Sequence, residues 1–338
     1  MTRTIPLIRA ANLLPLVRFT ETHGRNTVQL LDEADLAYWF HLTPLDPIPL
    51  RNGLDVMRAL SRRHGPDVGP QIVTQASLPE LGYIGQVALG ARSPAEALMR
   101  VSRALPFHSS HEHIGLDQKD GIFELTQRFD FDIDDEALHA VHGMFTALLQ
   151  TICAFNGTRP PAHVRVQMVP HPTKGLAHLK PHFGTSLTAA PDKVLRIALS
   201  PNVLGAPFRS PARDRLPQLM ARQVPPLAED ASLAASVRAV LGSMVQDGAP
   251  KIDRVARSAG TSVRSLQRRL SDEGTSFGTE LQTVRRRIAE DLLTQGEIRI
   301  GDVAERLGYA QQSAFTRAVR RWTGKPPSFA EKAGKRAS

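Results

Sequence analysis

Cysteine is nearly absent: Cys153 stands alone in 338 residues. No disulfide can form within the chain, which fits a reducing compartment. Aromatic residues are also scarce, at 5% of the chain with two Trp and three Tyr. No unbroken apolar run approaches the ~20 residues needed to span a membrane. The segment from Met1 to Ala11 lacks the apolar stretch and small-residue cleavage site of a secretory signal. The chain is therefore expected to work in the cytoplasm with no membrane partner. Phosphate-cradling glycine loops and a Gly-x-Ser-x-Gly elbow are missing. Asp134, Asp135 and Glu136 are neighbours at a helix start, where they complement the helix dipole. The run His108-Ser109-Ser110-His111-Glu112-His113 concentrates metal-ligand residue types, but no second cluster completes a set. It is read as strand-entry polarity or one wall of a pocket. With no nucleophile–base pair and no metal or cofactor set, the chain is expected not to be an enzyme and to need no cofactor.

What is present is a globular composition, 41% hydrophobic and 22% charged, in a chain long enough for two or three domains. The net charge is +9 and unevenly placed. Residues 233–338 hold 19 Lys and Arg against 11 Asp and Glu, whereas the first 232 hold 23 against 22. A near-neutral front and a basic back suit a sensor joined to a polyanion-binding domain.

The front reads as an α+β domain over 10–200. Residues 11–63 are mostly helical around a proline-rich loop at 43–49. Pro70 to Ser77 reads as a short strand. Ser93 caps a helix that opens on Pro94. Ile122 to Asp132 alternates as a half-buried strand. Glu136 to Phe155 returns to helical period, and strands follow at 163–169 and 194–199. Six prolines between 201 and 230 mark a linker over 201–232.

The all-α back, 233–330, opens with a helix from Leu233 to Met244. Ile300, Val303, Ala304 and Leu307 make one apolar stripe, which Gly308 ends. Ala314, Phe315, Ala318, Val319 and Trp322 make a second, ending at Gly324. Two short helices across a glycine turn form a helix-turn-helix, whose second helix suits the DNA major groove. The pattern also occurs about fifty residues upstream: Ile252, Val255 and Ala256, then Gly260, then Leu266 and Leu270. A long helix from Phe277 to Leu293 joins the two units.

These segments, with Ser262 to Leu270, Gly274-Thr275-Ser276-Phe277 and Ile300 to Pro327 as the matching pieces, resemble the DNA-binding domain of the AraC/XylS family of bacterial transcription regulators. Leu78 to Gly85, Ser93 to Leu98 and the strand at 122–132 resemble that family's arabinose-binding-like sensing domain. The resemblance implies a homodimeric regulator, commonly an activator, whose partners are double-stranded promoter DNA, a small organic effector and RNA polymerase. It places base reading on Arg264, Gln267 and Arg268 and on Gln311, Gln312, Ser313 and Arg317. Arg and Gln are suited to guanine and adenine edges. Ser262, Arg285, Arg286, Arg287, Arg320, Arg321 and Lys325 are expected at phosphates. Two other readings stay open: a front domain that only dimerises, and an enzyme domain fused to a DNA-binding one.

Overall fold

The computed structural model describes residues 3–119, 121–159, 161–209, 224–228, 230–295, 299–324 and 327. The chain enters through β1 (Leu7–Arg9), which pairs antiparallel with β2 (Pro47–Pro49), Ile8 opposite Ile48. The proline-rich stretch is thus a loop only as far as Asp46. Proline cannot donate to a ladder, so it is tolerated only in a short outer strand such as this. Between the two strands lie α1 (Leu14–Thr22) and α2 (Thr27–Glu33). After them come α3 (Leu50–His64), α4 (Val68–Ile72), α5 (Ser77–Glu80), α6 (Tyr83–Leu89) and α7 (Pro94–Ala104). Ser93 caps α7 by accepting from the Glu96 amide at 3.3 Å.

The strand expected over Pro70 to Ser77 does not form; α4 and α5 occupy that region. The reason is a close helix crossing. A Cβ on Gly69 would lie 2.2 Å from the Ala140 carbonyl, so α4 presses its backbone onto α8 (Asp135–Ala154). Asp134 caps α8 through the Ala137 amide at 3.0 Å. This helix has the length and mean hydropathy, 1.3, of a membrane span, contrary to the reading of the sequence as lacking one. Two-thirds of it is buried inside the protein, as befits a core helix.

Behind α8 stands a five-stranded sheet: β3 (Glu112–Lys119), β4 (Ile122–Phe129), β5 (Arg165–Met168), β6 (Leu187–Ala189) and β7 (Leu195–Leu199). Its spatial order is β3-β4-β7-β5-β6, antiparallel except for the β5–β6 pair. Leu98 of α7 and Leu149 and Cys153 of α8 share a core with Leu125, Val166 and Ile197 of the sheet. Burial there pushes the Cys153 thiol up to about 12, so it stays a neutral filler. The short helices α9 (Lys180–Phe183) and α10 (Pro201–Gly205) complete this α+β region.

The remainder is helical: α11 (Leu233–Met244), α12 (Ile252–Ser258), α13 (Val263–Asp272), α14 (Phe277–Gln295), α15 (Ile300–Arg306) and α16 (Gln312–Thr323). The Glu273 carboxylate accepts from the first amides of α11, Leu233 at 2.9 Å and Ala234 at 2.8 Å, where the helix dipole favours an anion. Glu280, almost fully buried, is neutralised by Arg238 at 2.7 Å. Two cores divide these helices. Val237 and Leu241 of α11, Val255 of α12 and Leu266 of α13 join the core that also holds Leu13, Leu31 and Ile48 from the front of the chain. Ala289, Leu293, Val303, Leu307, Phe315 and Val319 form a separate core around the far end of α14.

Candidate nucleic-acid interface and ligand cavity

The α12–α13 and α15–α16 corners are built alike. Gly260 has φ +63° and Gly308 φ +69°, the left-handed conformation that costs glycine least. At the first corner the Gly260 amide donates to Arg257 O and the Thr261 amide to Ala256 O. At the second, Gly308 donates to Glu305 O and Tyr309 to Ala304 O, the same spacings. Each pair satisfies carbonyls that the ending helix leaves open.

Beyond the first turn, Ser262 caps α13 by accepting from the Ser265 amide at 3.2 Å. Leu266 and Leu270 are buried, and Arg264, Gln267 and Arg268 are exposed. Beyond the second, Phe315, Ala318 and Val319 face the core, and Gln312, Ser313 and Arg317 face solvent. Gln311 is extended and precedes α16 rather than lying within it. The α16 helix stops at Gly324, φ +72°, whose amide donates to Arg320 O.

Among the residues expected at phosphates, Ser262, Arg286, Arg287, Arg320 and Arg321 are exposed; Arg286 also pairs with Glu290 at 2.7 Å. Lys325 lies outside the described residues. Arg285 is a correction. Its side chain is buried, one guanidinium nitrogen donates to Gly308 O at 3.1 Å, and the group stacks 4.7 Å from the centre of the Tyr309 ring. Arg285 therefore braces the second corner from inside, at the cost of a guanidinium pKa lowered by desolvation.

The front region holds a partly open cavity of about 120 Å³ between α1, α3, α5, α6, α7, α8 and the β3–β4 face of the sheet. Leucine, isoleucine, valine, methionine and phenylalanine dominate its wall, and its polar side chains are Asn12, His108, Glu112 and Gln127. Gln127 Nε2 donates to Glu112 at 2.6 Å, leaving its own Oε1 without a partner among the described residues. Although Glu112 keeps accessible surface, it lines the cavity, and desolvation there raises its carboxyl above the usual range. Burial holds His108 neutral, down to about 3. The other histidines of that run are occupied elsewhere: His111 with Thr4 Oγ1 at 3.2 Å, His113 with Asp130. Gln127 escaped the reading of the sequence. Its signal was a polar residue in phase with Phe123, Leu125 and Phe129 on the inward face of β4.

Two contacts connect this region to the first corner. The Arg51 guanidinium, on the cavity-lining helix α3, lies where a Cβ on Gly260 would be only 2.7 Å away. Asp35 pairs with Arg257 at 2.9 Å and with Arg254 at 3.4 Å, both on α12. Asp35 is also the one non-glycine described residue with positive φ, +56°.

Residues 255–332 match a family model described as a helix-turn-helix domain. The chain is 43% identical over 79 residues to the ornithine utilization regulator of Pseudomonas aeruginosa, 23% of either chain. It is 33% identical over 101 residues to the HTH-type transcriptional regulator VirS of Mycobacterium tuberculosis, 30% of either chain. The matched stretch thus spans about a quarter of the length of the first of these relatives. Of solved structures, it is similar to the regulator CdpR of Pseudomonas aeruginosa, 22% identical over 94% of this chain and 96% of that one, with a TM-score of 0.37. The C-terminal domain of AraT from Geobacillus stearothermophilus is 27% identical over 30% of this chain and 84% of that one, with a TM-score of 0.28. At these scores the structural likenesses carry no argument. The sequence matches do: the C-terminal region of this chain is an AraC-type helix-turn-helix domain.

Proposed function

We propose that the chain is a sequence-specific transcription regulator that reads DNA through two helix-turn-helix units and tunes that reading by a small ligand in its front region. The observation that carries the proposal is the repeated corner. The same turn hydrogen bonds precede α13 and α16, and each of these helices buries one apolar face while exposing Arg and Gln. Arg264, Gln267 and Arg268 would read one sub-site, and Gln311, Gln312, Ser313 and Arg317 the other. Ser262, Arg286, Arg287, Arg320 and Arg321 would hold phosphates. The sensing region is taken as 10–200, the connector as 201–232 and the DNA-binding region as 233–330.

Ligand control is supported by position. Helix α3 lines the cavity with Leu50, Leu54 and Met57 and places Arg51 against the Gly260 turn. A ligand that shifts α3 changes the surface on which the first unit rests, which is a coupling between two sites through one rigid element. The cavity favours sensing over a front region that only dimerises.

Selection of short duplexes from a random library at one stated salt concentration tests the DNA reading. The expected result is a motif with two sub-sites about ten base pairs apart, one helical turn. Sequence-blind, salt-sensitive binding alone would refute it.

A further inference from the structure

We propose that the front cavity takes a small uncharged ligand, mainly hydrocarbon, with one hydroxyl or amide N–H directed at Gln127 and Glu112. The inference rests on the sensing role proposed above and narrows its ligand class.

Charge excludes one class. Among the described residues no Lys or Arg lines the cavity, while Glu112 does. A carboxylate ligand would have no cation to meet and an acid to oppose it. Polarity excludes another. A sugar brings a hydroxyl on nearly every carbon, whereas only four polar side chains are among the described lining residues, and two of them, Glu112 and Gln127, are already bonded to each other on the β3–β4 face. The remaining hydroxyls would be buried unpaired against leucine and valine. What the cavity does offer is specific. Gln127 is 1% exposed and its Oε1 has no partner among the described residues; His108 is 4% exposed and its Nδ1 likewise has none there. A buried acceptor left open selects for a donor, because a ligand lacking one leaves the desolvation cost uncompensated. A hydroxyl supplies that donor and can also meet the second group. An ammonium ion would give up its hydration against a wall of leucine, isoleucine, valine and phenylalanine, with a single carboxyl to offset that cost. At about 120 Å³ the cavity is near the ~150 Å³ that holds one benzene ring in an apolar protein interior, so a six- or seven-atom molecule sets the scale.

The test is calorimetric titration of the full chain with 1-hexanol, hexanoate, hexylammonium and L-arabinose at pH 7.5. Hexanol is expected to bind, and the other three at least about ten-fold more weakly, the worth of one hydrogen bond. Gln127→Met should weaken hexanol about ten-fold in a chain that still unfolds cooperatively. Glu112→Gln, which keeps hydrogen bonding but loses ionisation, should leave hexanol within about two-fold. Tighter binding of hexanoate, hexylammonium or arabinose overturns the ligand class while leaving a sensor in place. Failure of every probe to bind, or hexanol binding indifferent to Gln127→Met, also overturns it. Affinity for the selected duplex is read in parallel. Hexanol binding without any change there counts against the sensing role and leaves the ligand class standing.

Discussion

Asp35 and Arg257 lie 222 residues apart in sequence, yet their carboxylate and guanidinium meet at 2.9 Å and hold α12 against the loop after α2. Arg254 approaches the same carboxylate at 3.4 Å. The partners are partly exposed, so solvent and salt screen the attraction and each pair is worth ~1 kcal/mol or less. Asp35→Asn tolerates the same left-handed backbone but removes the charge. It should leave global stability within about 1 kcal/mol while speeding amide hydrogen exchange along α12. Unchanged exchange in α12 would show that the apolar core alone secures this contact.

The two turn glycines differ in what surrounds them. A Cβ at Gly260 meets the end of the Arg51 side chain, which can swing aside. A Cβ at Gly308 meets backbone, Ala249 N at 2.7 Å and Gly248 C at 2.8 Å, which cannot. Both positions impose the left-handed cost of about 1–2 kcal/mol on alanine. Gly308→Ala should therefore destabilise more than Gly260→Ala in urea unfolding; the reverse order would contradict the packing described.

Base and phosphate partners separate by their salt response. Arg317→Ala should cost about 1–3 kcal/mol on the selected duplex and much less on random DNA. Arg287→Ala should weaken both equally and lower the slope of log affinity against log salt by about one. Arg285→Ala should act on stability instead, since its guanidinium braces Gly308 and Tyr309. Equal losses on both duplexes for Arg317→Ala would recast it as a phosphate partner.

Buried histidines predict acid sensitivity. Burial lowers His139 to about 4, and His108 and His142 to about 3, below the unfolded value of 6.5. Below pH 6.5 the unfolded chain binds protons that the folded chain refuses, so stability is complete above that pH. It declines as the pH falls toward 4 and levels off near 3. Each such group removes up to about 1.4 kcal/mol per pH unit within that window. Urea midpoints measured from pH 8 to pH 5 should fall only on the acid side of 6.5, and a flat profile would count against buried neutral imidazoles.

The helices of the back were legible because their apolar residues recur at three and four and stop at Gly260, Gly308 and Gly324. These are local properties, set by side-chain spacing and by the low cost of glycine at positive φ. The alternation of β4 was legible for the same reason. The segment at 70–77 was misread because its apolar residues answer to the α8 backbone pressed against Gly69, a contact between segments some seventy residues apart.

Arg285 was placed wrongly from its neighbours: three consecutive arginines look alike in sequence, but a helix turns each by 100° and sends the first inward. The sequence alone determined the duplicated corners, the outward Arg and Gln, and the basic charge of the back. Tertiary structure decided that the first corner shares a core with the front while the second keeps its own. It also shaped the cavity around Gln127 and Glu112 and set Arg51 against Gly260. Those outcomes depend on which distant apolar faces exclude water together, and burial is non-directional, so periodicity names the faces without naming their partners.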